Sequence, residues 1–293
     1  MAIFGSGTPI SKVVTGGFPV FVASFARMLL AAAVLVPMML LARRRYPGWE
    51  RAVPSIPGAD WVRLAGIAVA GMFLFSVFML YGMQEISGAV GGIVMATTPA
   101  ATAIGAILFL GDRLDRWKAV AIAAAVAGVL AVNLGGAGGG EGGDVLLGSA
   151  LVFGAVCGEA AYTLLGKRVS ADLEPITIAA LAALGATVLF ALPAALQVGE
   201  VEWSAIDTSE WAALAWWGIG TMALGSALWY AGVAKAPGLT ASAMMGVMPV
   251  SALVLSYVLL GESFEWIHLV GMIAVLFGIA AVVQGERKRE EPG

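Results

Sequence analysis

Two residue types that build most metal centres and acid–base catalysts are almost missing from this chain. It carries one cysteine, Cys157, and one histidine, His268, in 293 residues. A single cysteine excludes an internal disulfide and any cysteine-rich metal site. A single histidine excludes paired-histidine metal motifs such as HExxH. No GxxxxGK[ST] stretch occurs, so ATP-driven pumping has no phosphate loop to act through. Residues 1–15 lack a basic n-region and an A-x-A site, so no cleavable signal peptide is expected. Charge is scarce too: Asp, Glu, Lys and Arg make up 12% of the chain, about half the share usual in soluble domains. No metal, no cofactor and no nucleic-acid partner is expected.

What fills the chain instead is apolar side chain, 60% of all residues. A soluble fold of that composition would leave far too much apolar surface in water. The apolar runs are mostly about 18–25 residues, the length of a helix crossing a hydrocarbon core of roughly 30 Å. Short alternating segments of the kind that build membrane β-barrels do not occur. The expected fold class is therefore an all-α integral membrane protein in contact with lipid. Ten spans are expected, at 1–15, 18–42, 61–84, 88–110, 117–134, 146–166, 174–198, 211–234, 237–260 and 267–284. The first is short for a crossing, and the reading frame is expected to begin inside that helix.

The chain repeats itself at a constant offset. Pro99 falls on Pro249, Gly111 on Gly261, Asp112 on Glu262 and Gly128 on Gly278, without gaps. Each copy is an apolar helix interrupted near a proline, a short glycine–acid turn and a second apolar helix. A fixed period in so apolar a chain points to a duplicated membrane unit. The expected divisions are 1–134 and 146–284 as five-helix repeats, 135–145 as a glycine-rich external linker and 285–293 as a cytoplasmic tail.

Charge location orients the spans. Of the 16 Lys and Arg residues, all but Lys12 and Arg27 fall on one side of a ten-span layout. The opposite loops hold Glu85, Asp144, Glu210, Glu262, Glu265 and other acids, and no base. By the positive-inside rule both termini are expected in the cytoplasm. Five spans per copy then force the second copy to enter from the other side, giving an inverted-topology repeat. Trp61, Trp117, Trp203, Trp211 and Trp266 sit near span ends, where interfacial indoles belong.

These residues carry a resemblance. TTP at 97–99 followed by LGDRL at 110–114, and MP at 248–249 followed by LGESF at 260–264, resemble the EamA branch of the drug/metabolite transporter superfamily. Phe4-Gly5 and Lys12 resemble that family's W-G-x-x-x-x-x-x-K element, with phenylalanine in place of tryptophan. The resemblance implies ten helices in two inverted halves around a central cavity, lined by helices 1, 3, 4, 6, 8 and 9. It implies transport of small metabolites through a bacterial inner membrane, and similarity to YddG-type exporters suggests amino acids. A monomer or weak dimer is expected.

Candidate site residues begin with the ionisable groups inside spans, each costing a few kcal/mol at the bilayer centre. They are Lys12, Arg27 and Glu159. Glu159 is suited to a substrate amine or a proton, and Arg27 or Lys12 to a carboxylate. The structural alternative is an Arg27–Glu159 pair holding the halves together, with Lys12 snorkelling. Pro9, Pro99 and Pro249 are candidate hinges. Thr8, Thr97 and Thr98 beside them are suited to meet substrate, or else to bond back to their own helices. Phe75, Phe78 and Tyr81 recur at i, i+3 and i+6, expected roughly on one face. Trp216, Trp217 and Tyr162 complete an aromatic set suited to amphipathic solutes, along with Trp229 and Tyr230. Of these, Tyr81 and Trp217 are the leading candidates. Met244, Met245 and Met248 offer an adaptable wall, and Gly5, Gly7, Gly91 and Gly92 close helix packing. His268 is expected at an interface.

Transport by alternating access is the reading these features favour. A lipid-modifying membrane enzyme would need clustered acids or histidines, and Asp112 with Asp115 is the nearest approach. A passive channel would need a filter sequence, and none is visible.

Overall fold

The computed structural model describes residues 1–45, 56–134, 144–169, 173–233 and 244–290. Arg51, Lys235, most of the glycine-rich linker and residues 291–293 lie outside the described residues. So do the side chains of Trp229 and Tyr230. Every regular element described is helical. They run α1 (Ala2–Gly5), α2 (Gly7–Gly17), α3 (Val20–Arg45), α4 (Gly58–Gly66), a π-wound stretch (Ile67–Leu74), α5 (Phe75–Glu85), α6 (Gly88–Met95) and α7 (Thr98–Leu110). Then come α8 (Arg116–Leu134), α9 (Val145–Gly166), α10 (Pro175–Gln197), α11 (Thr208–Ala215), a second π-wound stretch (Trp216–Leu224) and α12 (Gly225–Val233). The last two are α13 (Val247–Leu260) and α14 (Trp266–Glu290). Seven of the helical runs are long and apolar enough to cross a membrane, and Val247–Leu260 is a shorter apolar helix.

The offset seen in the sequence recurs in backbone detail. The π-wound stretches occupy equivalent positions in the two copies. Gly111 and Gly261 both end their helices in the left-handed region, with φ of 70° and 64°. Only a residue without Cβ adopts that conformation without cost, so the helix stops there in each copy.

Helix pairs show direction as well as position. Gly128 lies against Gly271 and Val275, Gly278 against Ala121 and Ala124, and Gly285 against Trp117. Numbers rise along α8 as they fall along α14, so these equivalent helices are antiparallel. In the same way Gly82 meets Val152, Gly154 meets Phe78 and Gly71 meets Tyr162, making α9 antiparallel to α4–α5. Gly17 meets Glu210, Gly7 meets Trp217 and Gly225 meets Phe4, making α2 antiparallel to α11–α12. Between helices in lipid the apolar drive is weak, and small residues let backbones approach for dispersion and packing.

One end of the bundle is tied through the turn between α5 and α6. The Glu262 carboxylate accepts the backbone N–H of Gly88 and of Ala89, at 2.5 and 2.9 Å. Two of the unpaired amides at that helix start are thereby satisfied from the other half of the chain. Lys12 Nζ donates to the carbonyls of Met83 at 2.6 Å and Gln84 at 3.4 Å. Glu85 accepts the N–H of Asp144, which itself caps α9 through Leu146 and Leu147. At the opposite end, Arg168 donates to the Phe109 carbonyl, and Lys288 lies over the Trp117 ring.

His268, expected at an interface, lies in the first turn of α14 and is buried against protein. It is 2% exposed, because the first turn of α14 folds onto α13, where the Tyr257 hydroxyl and His268 Nδ1 lie 3.1 Å apart.

Two predictions follow from this packing. A Cβ at Gly128 would come within 2.7 Å of Val275 and 2.9 Å of the Gly271 carbonyl, so Gly128→Val should cost about 1–3 kcal/mol by overpacking. Thermal unfolding in detergent should show a lowered midpoint, and an unchanged one would mean that α8 and α14 are not in close contact. Glu262→Ala orphans two amides at a cost of about 1–3 kcal/mol each. Hydrogen exchange at Gly88 and Ala89 should accelerate, and unaltered protection there would remove the tie.

Candidate functional site

Four-residue periodicity fails at places where the backbone is interrupted, and those interruptions share a location. Breaks fall at Ser6, at Ala96–Thr97 and at Met245–Gly246. Pro9, Pro99 and Pro249 each lie in the first turn of the helix that restarts after a break. An amide missing from a first turn was unpaired in any case, so proline is tolerated there at little cost. Hydroxyls near the breaks bond back to backbone carbonyls, and the Thr98 hydroxyl takes the Met95 carbonyl that Pro99 leaves without its amide. Ser6 donates to Ile3, Ser11 to Thr8, Thr97 to Val94, Thr98 to Met95 and Ser251 to Met248, all at 2.6–2.9 Å. Trp216 Nε1 in turn donates to Ser6 Oγ at 2.9 Å.

Between the breaks and the two π-wound stretches lies a cavity of about 260 Å³. Its wall includes Gly5, Gly7 and Thr8 from the first break, Met95 and Ala96 from the second, and Met245, Met248 and Pro249 from the third. The π-wound stretches add Gly71, Met72, Trp217, Thr221 and Met222. The lining extends toward Met1 and Thr163, the end that carries Lys167 and Arg168. Toward the acidic end, Val14, Leu80 and Leu214 are 0–2% exposed and pack together. The cavity is therefore sealed at the Glu262 end and extends toward the basic one.

Arg27 and Glu159 both line this space, but no ion pair joins them among the described residues. Arg27 is 6% exposed. Its guanidinium carbon lies 3.9 Å from the Trp217 ring centroid and 5.6 Å from that of Phe75. Nη1 donates to Ser76 Oγ at 3.1 Å, Nη2 approaches the Met222 sulfur at 3.8 Å, and Nε has no partner. Glu159 Oε2 accepts the Thr98 hydroxyl at 3.0 Å. That hydroxyl also reaches the Met95 carbonyl at 2.7 Å, so one proton faces two acceptors.

The candidates divide accordingly. Thr8, Arg27, Glu159, Tyr162, Trp217, Pro249, Phe75, Met245 and Met248 are on the cavity wall. Thr98 stands behind Glu159, while the Thr97 hydroxyl is used within its own helix. Lys12 is turned toward the 83–84 carbonyls and away from the cavity. Tyr81 packs edge-on to Phe21 at 6.4 Å, and Phe78 packs against Gly154. Pro99 faces a second, very small space between α7, α8 and α14. Trp216 is 41% exposed on the outer face. Phe4, noted above as part of the W-G-like element, lines the cavity too. So do Met28, Met79, Thr163, Thr221 and Ser226, which carry no charge or helix break of their own that marks them in the sequence. In the 111–115 turn, Asp112 accepts from Lys118 and Asp115 caps the amides of Trp117 and Lys118. Both carboxylates are thereby engaged at the turn and the start of α8. No group of three or more metal-ligating side chains is found among the described residues.

Comparison with known proteins agrees with this architecture. Residues 1–134 and again 146–284 match the EamA-like transporter family. The chain is 34% identical over 285 residues to "Uncharacterized transporter YetK" of Bacillus subtilis, covering 97% of this chain and 84% of that protein. It is 25% identical over 268 residues to an "Uncharacterized transporter" of Archaeoglobus fulgidus, covering 91% and 89%. A protein solved by crystallography superposes with a TM-score of 0.63 at 20% identity, over 99% of this chain and 96% of that one, a likeness of fold alone. With the family matching on both sides of the linker and membrane helices surrounding a central cavity, the chain belongs to the EamA-like transporters of the drug/metabolite transporter superfamily and is a multi-pass membrane transporter.

Proposed function

We propose that this transporter moves small amphipathic metabolites, foremost amino acids with aromatic or other apolar side chains, by alternating access across a bacterial inner membrane. In this reading the chain crosses ten times, in two inverted five-helix halves spanning 1–134 and 146–284, with both termini in the cytoplasm. It works as a monomer or weak dimer. The observation that carries the proposal is the cavity, which lies where interrupted helices of both halves meet and holds one buried cation and one carboxyl group. Antiparallel packing of equivalent helices supports rocking of one half against the other around that site. Sealing at the acidic end and extension toward the basic end support an inward-facing state, with the positive-inside rule giving the direction.

Glu159 and Thr98 support proton exchange during the cycle. With Glu159 ionised, the Thr98 proton is drawn toward it and away from the Met95 carbonyl at the helix break. With Glu159 protonated, the carboxyl donates to Thr98 Oγ1, and the threonine proton returns to Met95. The other titratable side chains on this wall are Arg27 and Tyr162.

Counterflow of amino acids in proteoliposomes tests the proposal. Exchange of aromatic or branched amino acids is expected, and a wild-type rate that varies with pH should become flat in Glu159→Gln. Absence of exchange for every amino acid would overturn the substrate class, and an unaltered pH response in the variant would remove Glu159 from coupling.

A further inference from the structure

The two charged side chains of the cavity are not equally provided for. Glu159 has a hydroxyl donor in Thr98 and part of its surface open to the cavity. A carboxyl group can also discharge itself by taking a proton. Arg27 has neither outlet, since a guanidinium stays charged in proteins. Of its five N–H donors, one meets Ser76 Oγ, one meets a thioether sulfur, which is a weak acceptor, and Nε meets nothing. No acidic side chain pairs with it among the described residues. The rings of Trp217 and Phe75 offset part of the charge's desolvation. The penalty for burying an ion exceeds what such ring contacts return. The guanidinium therefore stands in the wall, held by Trp217 and Ser76, with donor capacity and no paired carboxylate among the described residues.

The rest of the wall states what accompanies the anion. Eight of the 13 methionines in the chain line this one cavity, among them Met28, Met72, Met79, Met222, Met245 and Met248. Methionine side chains are unbranched, polarisable and free to repack, so a wall built of them accepts apolar shapes of many kinds. A dianionic phosphate would bring two charges to one cation inside an apolar space, whereas a carboxylate brings one.

Resting on the carrier reading of this same cavity, we infer that the ligand's carboxylate, bound by Arg27, is the obligatory determinant. Its amino group is dispensable, and its apolar part is read loosely by the methionine wall. The substrate class is then apolar-chain monocarboxylates, of which amino acids are one part.

Binding to the purified wild-type protein, measured by calorimetry and thermal shift, tests this with three probes that share a ring. They are L-phenylalanine, 3-phenylpropionate, which lacks the amine, and phenethylamine, which lacks the carboxylate. Both acids should bind, and phenethylamine should bind at least about tenfold more weakly, a difference of 1.4 kcal/mol. L-Leucine and L-methionine should fall within about tenfold of L-phenylalanine. Arg27→Gln should lose 3-phenylpropionate, with Arg27→Lys restoring part of the affinity. Phenethylamine binding as well as the acids, an Arg27→Gln variant that folds and binds normally, or no binding of any probe would each overturn the inference. So would one amino acid preferred over the others by about a hundredfold. Binding in the expected order without counterflow would leave this inference standing and remove only the carrier reading.

Discussion

Inside a bilayer no water is at hand to satisfy a backbone amide or carbonyl, so a helix can be interrupted only against protein or a wet cavity. That constraint organises this molecule. Three helix breaks and two π-wound stretches are present, and residues from all five line the same space. Hydroxyls of Ser6, Thr97, Thr98 and Ser251 bond to carbonyls around these breaks, and Thr98 takes the Met95 carbonyl that Pro99 leaves without an amide. Each restarted helix places a proline in its first turn, where the missing amide is not felt. Among the described residues, the helix breaks and π-wound stretches thus gather at the cavity. A site at the meeting point of two halves is what alternating access requires.

The ends of the bundle are built differently from its middle. At the acidic end, side-chain charges close on backbone dipoles: Glu262 on the start of α6, Lys12 on the end of α5, Glu85 on the start of α9. These contacts join elements far apart in sequence through polar side chains and backbone groups. The α8–α14 pair lies on the far side, with glycines against backbone, and has no part in the cavity wall. In this arrangement an end tied by polar contacts and a flank packed through glycines surround the same site.

Much of the fold could be read from the chain. Apolar runs, scarcity of charge and the offset joining Pro99 to Pro249 and Gly111 to Gly261 were enough for helices, membrane and duplication. Glu159, Arg27, Trp217, Thr8 and Tyr162 stood out as polar or aromatic groups deep in apolar runs, and all five face the cavity. The aromatic row on α5 misled for a geometric reason. At 3.6 residues per turn, i, i+3 and i+6 fan over about 120° of the helix, so Phe75 faces the cavity, Phe78 faces Gly154 and Tyr81 faces Phe21. Lys12 stands in an apolar run as Arg27 does, but depth in sequence does not give direction, and its ammonium turns to the helix-end carbonyls of Met83 and Gln84. The π-wound stretches and the gathering of methionines left no local mark. Both depend on which faces of distant helices come together, which single-helix periodicity does not encode.

The opposed orientation of the two halves is the claim on which the cavity, the closure and the transport cycle all rest. It is tested most directly by membrane-impermeant thiol labelling of intact cells, using Arg113→Cys and Phe264→Cys in a Cys157→Ser background. Both positions are exposed, in the equivalent turns after Gly111 and Gly261. Phe264→Cys alone should label from outside, with Arg113→Cys reached only after the membrane is opened. Labelling of both from the same side would contradict the opposed orientation.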